Sequence, residues 1–190
     1  MRRDPQAYAG MRIGLFGGSF DPAHSGHMHT ATTAMQRLGL DQVWWLATPQ
    51  NPLKPKSAPL KERMASVQSM LRGNRMHVTD IETRLGVAYS FDTVTALQRR
   101  YPGVHFVWIM GGDNVGGFHR WKRWREIFRA LPMVVIARGG AARNGPAFRQ
   151  FAATRRPADR ALPGTPAPAW AYISARLDPA SSTVIRNARK

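Results

Sequence analysis

A chain of 190 residues with 28 Lys and Arg against 11 Asp and Glu, net charge +17, is long enough to bury a real core in one domain. The absence of cysteine excludes a disulfide framework and a thiolate zinc site. No apolar run nears the roughly 20 residues of a membrane span, and the positive balance attracts polyanions, from nucleic acid to phosphate-rich small molecules.

The first ten residues, MRRDPQAYAG, carry charge but no apolar stretch long enough for a secretory signal. Residues 1–10 are expected to be a poorly ordered extension, and 11–190 the folded domain of a soluble, cytoplasmic protein with no membrane partner. Met11–Phe16 (MRIGLF) reads as a buried strand. It runs into Gly17-Gly18-Ser19-Phe20-Asp21-Pro22-Ala23-His24-Ser25-Gly26-His27 and then a helical pattern over Ser25–Leu38. A Gly-rich strand-to-helix turn lets backbone N–H groups approach phosphates, and the helix N-terminus adds partial positive charge. His24 and His27 are three residues apart and share one face if the helix starts near Ser25. The plainer alternative is a Gly-rich turn with two surface histidines.

Gln42–Ala47 is the next strand, followed by Thr48–Pro59 (TPQNPLKPKSAP), whose four prolines rule out a regular helix. Lys54 on this loop is either a solvated lysine or an ammonium that neutralises phosphate charge. Helical spacing then predicts Leu60–Leu71, Phe91–Arg100 and Trp121–Ala130, and β-rich runs predict Met76–Thr79, Val104–Met110, Met133–Ala137 and Trp170–Ile173. Gly39, Gly73 and Gly103 stand where helices would stop. Ala141–Pro168 reads as a loop with a short helix near Ala147–Ala153. Strands alternating with helices predict a single α/β, Rossmann-like domain with a mainly parallel sheet flanked by helices. Ligands in such sheets bind beyond the strand C-termini, at a topological switch point.

Asp113 follows the Val104–Met110 strand and the glycines Gly111 and Gly112; it suits either ribose hydroxyls or a turn. Trp121 and Trp124 are expected to share one helical face, as core, partner surface or ligand platform. Near the end, Ser181 and Ser182 are good N-cap residues, so that Thr183–Arg186 would begin a short helix. Its N–H groups and the Arg186 guanidinium could hold phosphate oxygens, or the serines could serve only as a cap. The basic residues are scattered apart from Arg120–Arg125 and Arg155–Arg160, and no nucleic-acid-binding signature accompanies them. A solvated basic surface is expected, with no specific nucleic acid as partner.

Five segments together resemble one family. They are GGSFDPAHSGH (17–27), PQNPLKP (49–55), IETRLGVAYSFDT (81–93), IMGGDNVGGFHRWKRWREI (109–127) and SSTVIR (181–186). The HxGH core is shared by a nucleotidyltransferase superfamily, and the longer run is similar to the bacterial nicotinate-mononucleotide adenylyltransferases. The resemblance implies transfer of AMP from ATP to nicotinate mononucleotide, with Mg²⁺ carried by ATP and no dedicated metal site in the protein. It implies that His24, His27 and Arg186 stabilise the reacting phosphates. An ATP site of Gly17, Gly18, Ser19, Phe20, His24, His27, Gly111, Asp113, Ser182, Thr183 and Arg186 is implied as well. The implied acceptor site contains Lys54, Tyr89, Ser90, Phe91, Trp121 and Lys122. There Trp121 would stack on the pyridine ring, and backbone amides near Phe91 and Lys122 would hold its carboxylate. Trp124 is implied to be structural.

Departures from the family pattern are Tyr89-Ser90, in place of a tyrosine–threonine pair, and Lys122, where some relatives carry an aromatic residue. The chain ends four residues after Arg186, where many relatives continue. This bears on any homo-oligomer contact made by a tail, not on the phosphate site. Rival readings are adenylyl transfer to another phosphate acceptor, such as nicotinamide mononucleotide, phosphopantetheine or FMN, and a nucleotide- or nucleic-acid-binding module that does not catalyse.

Overall fold

A computed structural model describes residues 4–49, 57–138 and 145–175, together with residues 182 and 185. Six strands form one sheet: β1 Arg12–Gly18, β2 Gln42–Ala47, β3 Met76–Thr79, β4 His105–Gly111, β5 Met133–Arg138 and β6 Trp170–Ala175. Their order is β3-β2-β1-β4-β5-β6, and every neighbouring pair is parallel. The helices are α1 Ser25–Leu38, α2 Leu60–Met70, α3 Ile81–Leu85, α4 Ser90–Arg100, α5 Trp124–Ala130 and α6 Pro146–Gln150.

Parallel strands covered on both faces need continuous apolar runs, and IGLF, VWWLA and FVWIM supply them. Successive side chains then point to opposite layers. Ile13, Leu15, Trp44, Trp108 and Met110 meet Val94 and Leu97 of α4, Ile127 and Phe128 of α5, and Phe148 of α6. Phe16, Val43, Trp45, Val107 and Ile109 meet Ala31, Ala34 and Leu38 of α1 and Met64 and Val67 of α2. The end of α1 is set by Gly39, left-handed at φ 58°, whose N–H returns to the Met35 carbonyl.

The expected α/β architecture is thus the observed one, with the first strand running on through Gly17-Gly18. Three local features differ from expectation. α3 occupies Ile81–Leu85, a stretch too short for helical periodicity to stand out. The helix expected from Trp121 starts only at Trp124, because Arg123 is left-handed at φ 58° and Trp121 is extended. Within 141–168, α6 is followed by a 3₁₀ turn at Ala152–Thr154 rather than continuing. Residues 4–10 run against the domain: Asp4 pairs with Arg84 and, at 2.8 Å, with Arg100. Farther along, the Gly10 N–H donates to the Gly103 carbonyl at 2.8 Å.

Candidate active site

The chain leaves β1 on one side of the sheet and reaches β4, its other neighbour, only after β2 and β3 have been laid down. The C-terminal ends of β1 and β4 therefore flank the switch point at which ligands bind in sheets of this kind. Gly17 and Gly18 end β1, and Gly111 ends β4. A Cβ on Gly17 would lie 3.0 Å from the Trp108 ring, and one on Gly111 would lie 2.6 Å from Asp113 Oδ1. Glycine at these strand ends leaves the backbone bare where other groups close in. Asp113 is exposed on a 3₁₀ turn, Gly112–Asn114, directly after β4.

The turn between β1 and α1 is anchored from below. Phe20 is 1% exposed and packs its ring against Phe16, Trp45 and the His27 imidazole, at 5.5, 5.2 and 5.2 Å. It holds φ 48°, a conformation costly for a side chain with a Cβ, so the surrounding packing enforces the turn. His24 is the N-cap of α1 and His27 its third residue. Their rings stand 3.8 Å apart between centroids. His27 Nδ1 accepts the backbone N–H of His24 at 3.3 Å, so while that bond is made the imidazole proton sits on Nε2. The first turn of α1 carries no acid, which leaves its partial positive charge for an anion.

Three further contacts hold the turn. Ala23 N–H donates to Ser66 Oγ at 3.2 Å, and Ala58 N–H to Asp21 Oδ2 at 3.4 Å. Ser182, helical in this structure, donates its hydroxyl to the Pro22 carbonyl at 2.9 Å. That last bond brings Ser182 against the GGSFDPAHSGH turn, 160 residues away in sequence.

On the opposite face of the sheet, a second group assembles around the N-terminus of α4. Lys122 Nζ lies 4.1 Å above the Tyr89 ring and the Arg123 guanidinium 3.8 Å above the Phe91 ring, with Ser90 between them as the first residue of the helix. Trp121 is half-buried, edge-on to Trp108 at 6.2 Å and to Phe118 at 5.2 Å. Trp108 also underlies Gly17, so this aromatic set reaches the switch point. The helical face expected for Trp121 and Trp124 is not formed, since the left-handed Arg123 separates them. Trp124 is 9% exposed and packs on Phe118 and Phe151 as part of the core.

The expected residues thus fall into a turn group (Gly17, Gly18, Ser19, Phe20, His24, His27, Ser182), a strand-end group (Gly111, Asp113) and an aromatic–cationic group (Tyr89, Ser90, Phe91, Trp121, Lys122). Lys54, Thr183 and Arg186 lie outside the described residues. Two buried ionisable residues escaped the sequence reading. Glu82, 4% exposed, accepts the Thr93 hydroxyl at 2.9 Å, and Thr93 also donates to the Tyr89 carbonyl at 3.3 Å. Burial pushes the Glu82 carboxyl above its usual range, opposed by hydrogen bonds from Thr93 and Thr48. Arg63 of α2 is 2% exposed. Its position among Leu60, Met64 and Val67, on the apolar stripe of α2, was the available signal.

The sequence model of the cytidylyltransferase-like family matches residues 15–188. A "Probable nicotinate-nucleotide adenylyltransferase" of Caulobacter sp. (strain K31) is 54% identical over 183 residues, covering 93% of this chain and 97% of that protein. Another, of Roseobacter denitrificans, is 49% identical over 189 residues, covering 96% and 95%. Among solved structures, the Plasmodium falciparum nicotinic acid mononucleotide adenylyltransferase complexed with NaAD superposes with a TM-score of 0.73. It is 15% identical and the match covers 93% of this chain and 83% of that one, a likeness of fold.

Proposed function

We propose, since this chain belongs to the cytidylyltransferase-like family and within it to the bacterial nicotinate-nucleotide adenylyltransferases, that it transfers AMP from ATP to nicotinate mononucleotide. The products are nicotinate adenine dinucleotide and pyrophosphate, a step of NAD biosynthesis, which we place in the cytoplasm. The carrying observation is the anchored β1–α1 turn, with His24 and His27 at the N-terminus of α1, beside the switch point.

The reaction needs no general base and no covalent enzyme intermediate. The acceptor phosphate is already an oxyanion at pH 7. Its oxygen forms the new bond to the α-phosphorus as the bond from that phosphorus to the bridging oxygen of pyrophosphate breaks. The protein's task is in-line positioning and neutralisation of the developing charge. His27 Nε2–H and the first turn of α1 are suited to donate to the α- and β-phosphates, and His24 beside it shares that role. Gly17, Gly18, Ser19 and Phe20 give the backbone surface against which the triphosphate lies. Gly111 and Asp113 take the ribose side, and Ser182, Thr183 and Arg186 the outer phosphates. On the acceptor side, Trp121 would stack on the pyridine ring, bordered by Tyr89, Ser90, Phe91 and Lys122, with Lys54 near the phosphates.

Enzymes of this family generally use a divalent metal, for which we propose Mg²⁺. Among the described residues no group of three or more His, Asp or Glu could hold a metal ion; our reading places the cation on the triphosphate oxygens. When bound, it screens phosphate charge. The direct test is incubation with ATP and nicotinate mononucleotide, following the dinucleotide and pyrophosphate. Formation of neither, from folded protein, would overturn this reading.

A further inference from the structure

Arg63 donates Nη1–H to the Ser19 carbonyl at 2.6 Å and Nε–H to the Ala58 carbonyl at 2.8 Å. Its Nη2 donates to the carbonyls of Thr48 at 2.9 Å and Pro49 at 2.7 Å. Four of the five N–H groups of the guanidinium are thus committed to main-chain oxygens. Those oxygens belong to three places that are separate in sequence: the β1–α1 turn, the chain just beyond β2, and the approach to α2. None of them is regular structure, and among the described residues one backbone bond, Thr48 N–H to the Gly18 carbonyl at 3.1 Å, joins the first two places while none joins either to the approach to α2.

A buried cation is costly unless its donors are satisfied and a counter-charge is near. Burial lowers the guanidinium's proton affinity and the Asp21 carboxylate opposes that shift, but arginine stays charged in either case. If Arg63 served only to fill space, an apolar residue like its neighbours Met64 and Val67 would do so more cheaply.

Resting on the adenylyl-transfer reading, we infer that Arg63 is a positioning residue for the triphosphate. By gripping the Ser19 carbonyl, it fixes the β1–α1 turn relative to the end of β2, and with the turn the backbone amides and His27 that face the α-phosphorus. It acts through Ser19 and touches no substrate. A lysine cannot replace it, because one ammonium lacks the planar fork that spans three segments at once.

The test compares wild type with Arg63→Lys, which retains the charge, and Arg63→Ala, which does not, well below each protein's melting temperature. Misplacement of a reacting group by about 1 Å costs on the order of a hundred-fold, so folded Arg63→Lys should lose about ten- to a hundred-fold in kcat. Its KM for nicotinate mononucleotide should stay within about two-fold, since the acceptor group lies elsewhere. Guanidinium ion at millimolar levels should restore part of the Arg63→Ala rate, where the same concentration of ammonium does not. A folded Arg63→Lys with wild-type kcat and ATP KM overturns the positioning role. Hydrogen exchange gives an arm independent of turnover: the amides of Ser19–Ala23 should exchange faster in Arg63→Lys while those of β5 do not. If wild type forms no dinucleotide, the reaction assignment fails and the exchange result alone decides; unchanged Ser19–Ala23 exchange then overturns the inference too.

Discussion

At the scale of single residues, His27 has two jobs, one read in turnover and the other in stability. Its Nδ1 caps α1 through the His24 N–H, and its Nε2 side is proposed to meet phosphate. His27→Ala should lower kcat by about two to three orders of magnitude, the usual effect of removing one preorganised donor. The lost cap should cost only about 0.5–2 kcal/mol, so the protein stays folded. Steady-state kinetics with circular dichroism would check both, and near wild-type turnover would remove His27 from the phosphate site. Glu82 offers a second residue-scale test. Its carboxyl binds its proton more tightly in the folded chain than in the unfolded one. The stability that this contributes is full below the unfolded value, about 4.3, and is lost as pH rises through the raised folded value. Glu82→Gln keeps an oxygen for the Thr93 hydroxyl and cannot ionise. Its melting temperature should therefore gain on that of wild type as pH increases from about 5 to 8. A difference that stays constant across that range would contradict the assignment.

Among elements, the α4 N-terminus and the segment before α5 work as one unit through Lys122 on Tyr89 and Arg123 on Phe91. These cations border the proposed acceptor group, where they would favour a pyridine carboxylate over a neutral amide. Backbone N–H donors satisfy a carboxylate, whereas a carboxamide NH₂ would set donor against donor, at about 1–3 kcal/mol. We expect kcat/KM for nicotinate mononucleotide to exceed that for nicotinamide mononucleotide by at least about ten-fold. Equal values on one preparation would move the chain to a dual-specificity enzyme. This unit also marks where the sequence was hard to read. The strands and the long helices were legible because IGLF, VWWLA and FVWIM are unbroken apolar runs and Ser25–Leu38 has a clear helical period. The break at Arg123 was not, because no glycine or proline announces a left-handed residue there, and RWKRWREI looks helical throughout. The GGSFDPAHSGH stretch was legible as the turn between β1 and α1, since glycines follow the apolar run of the strand and a helical period begins at its end. Its support was harder to read: the only local sign of Arg63's burial is its place on the apolar stripe of α2, and Glu82 lies in a helix too short for any period to show.

For the whole molecule, the order β3-β2-β1-β4-β5-β6 makes the proposed site a junction between two halves. Each half builds from neighbours in sequence: Ile13 meets Gln42, Val43 meets Met76, Trp108 meets Met133 and Met133 meets Trp170. The seam is different. Ile13 meets Phe106, the widest separation of any strand pairing here, and the Ser182 bond to Pro22 spans wider still. Long loops must be closed before such contacts are rewarded, and non-local parallel pairing is the slow part of folding. The sheet order therefore carries a timetable. On dilution from urea, helical signal should return first and competence for adenylyl transfer last, with the slowest phase of tryptophan fluorescence. Activity that reappears together with the earliest spectroscopic change would refute this sequence of events. A newly made chain then spends its vulnerable interval with both halves shaped and the proposed phosphate site not yet closed, and ATP, which we propose binds across the finished seam, would draw the last step forward.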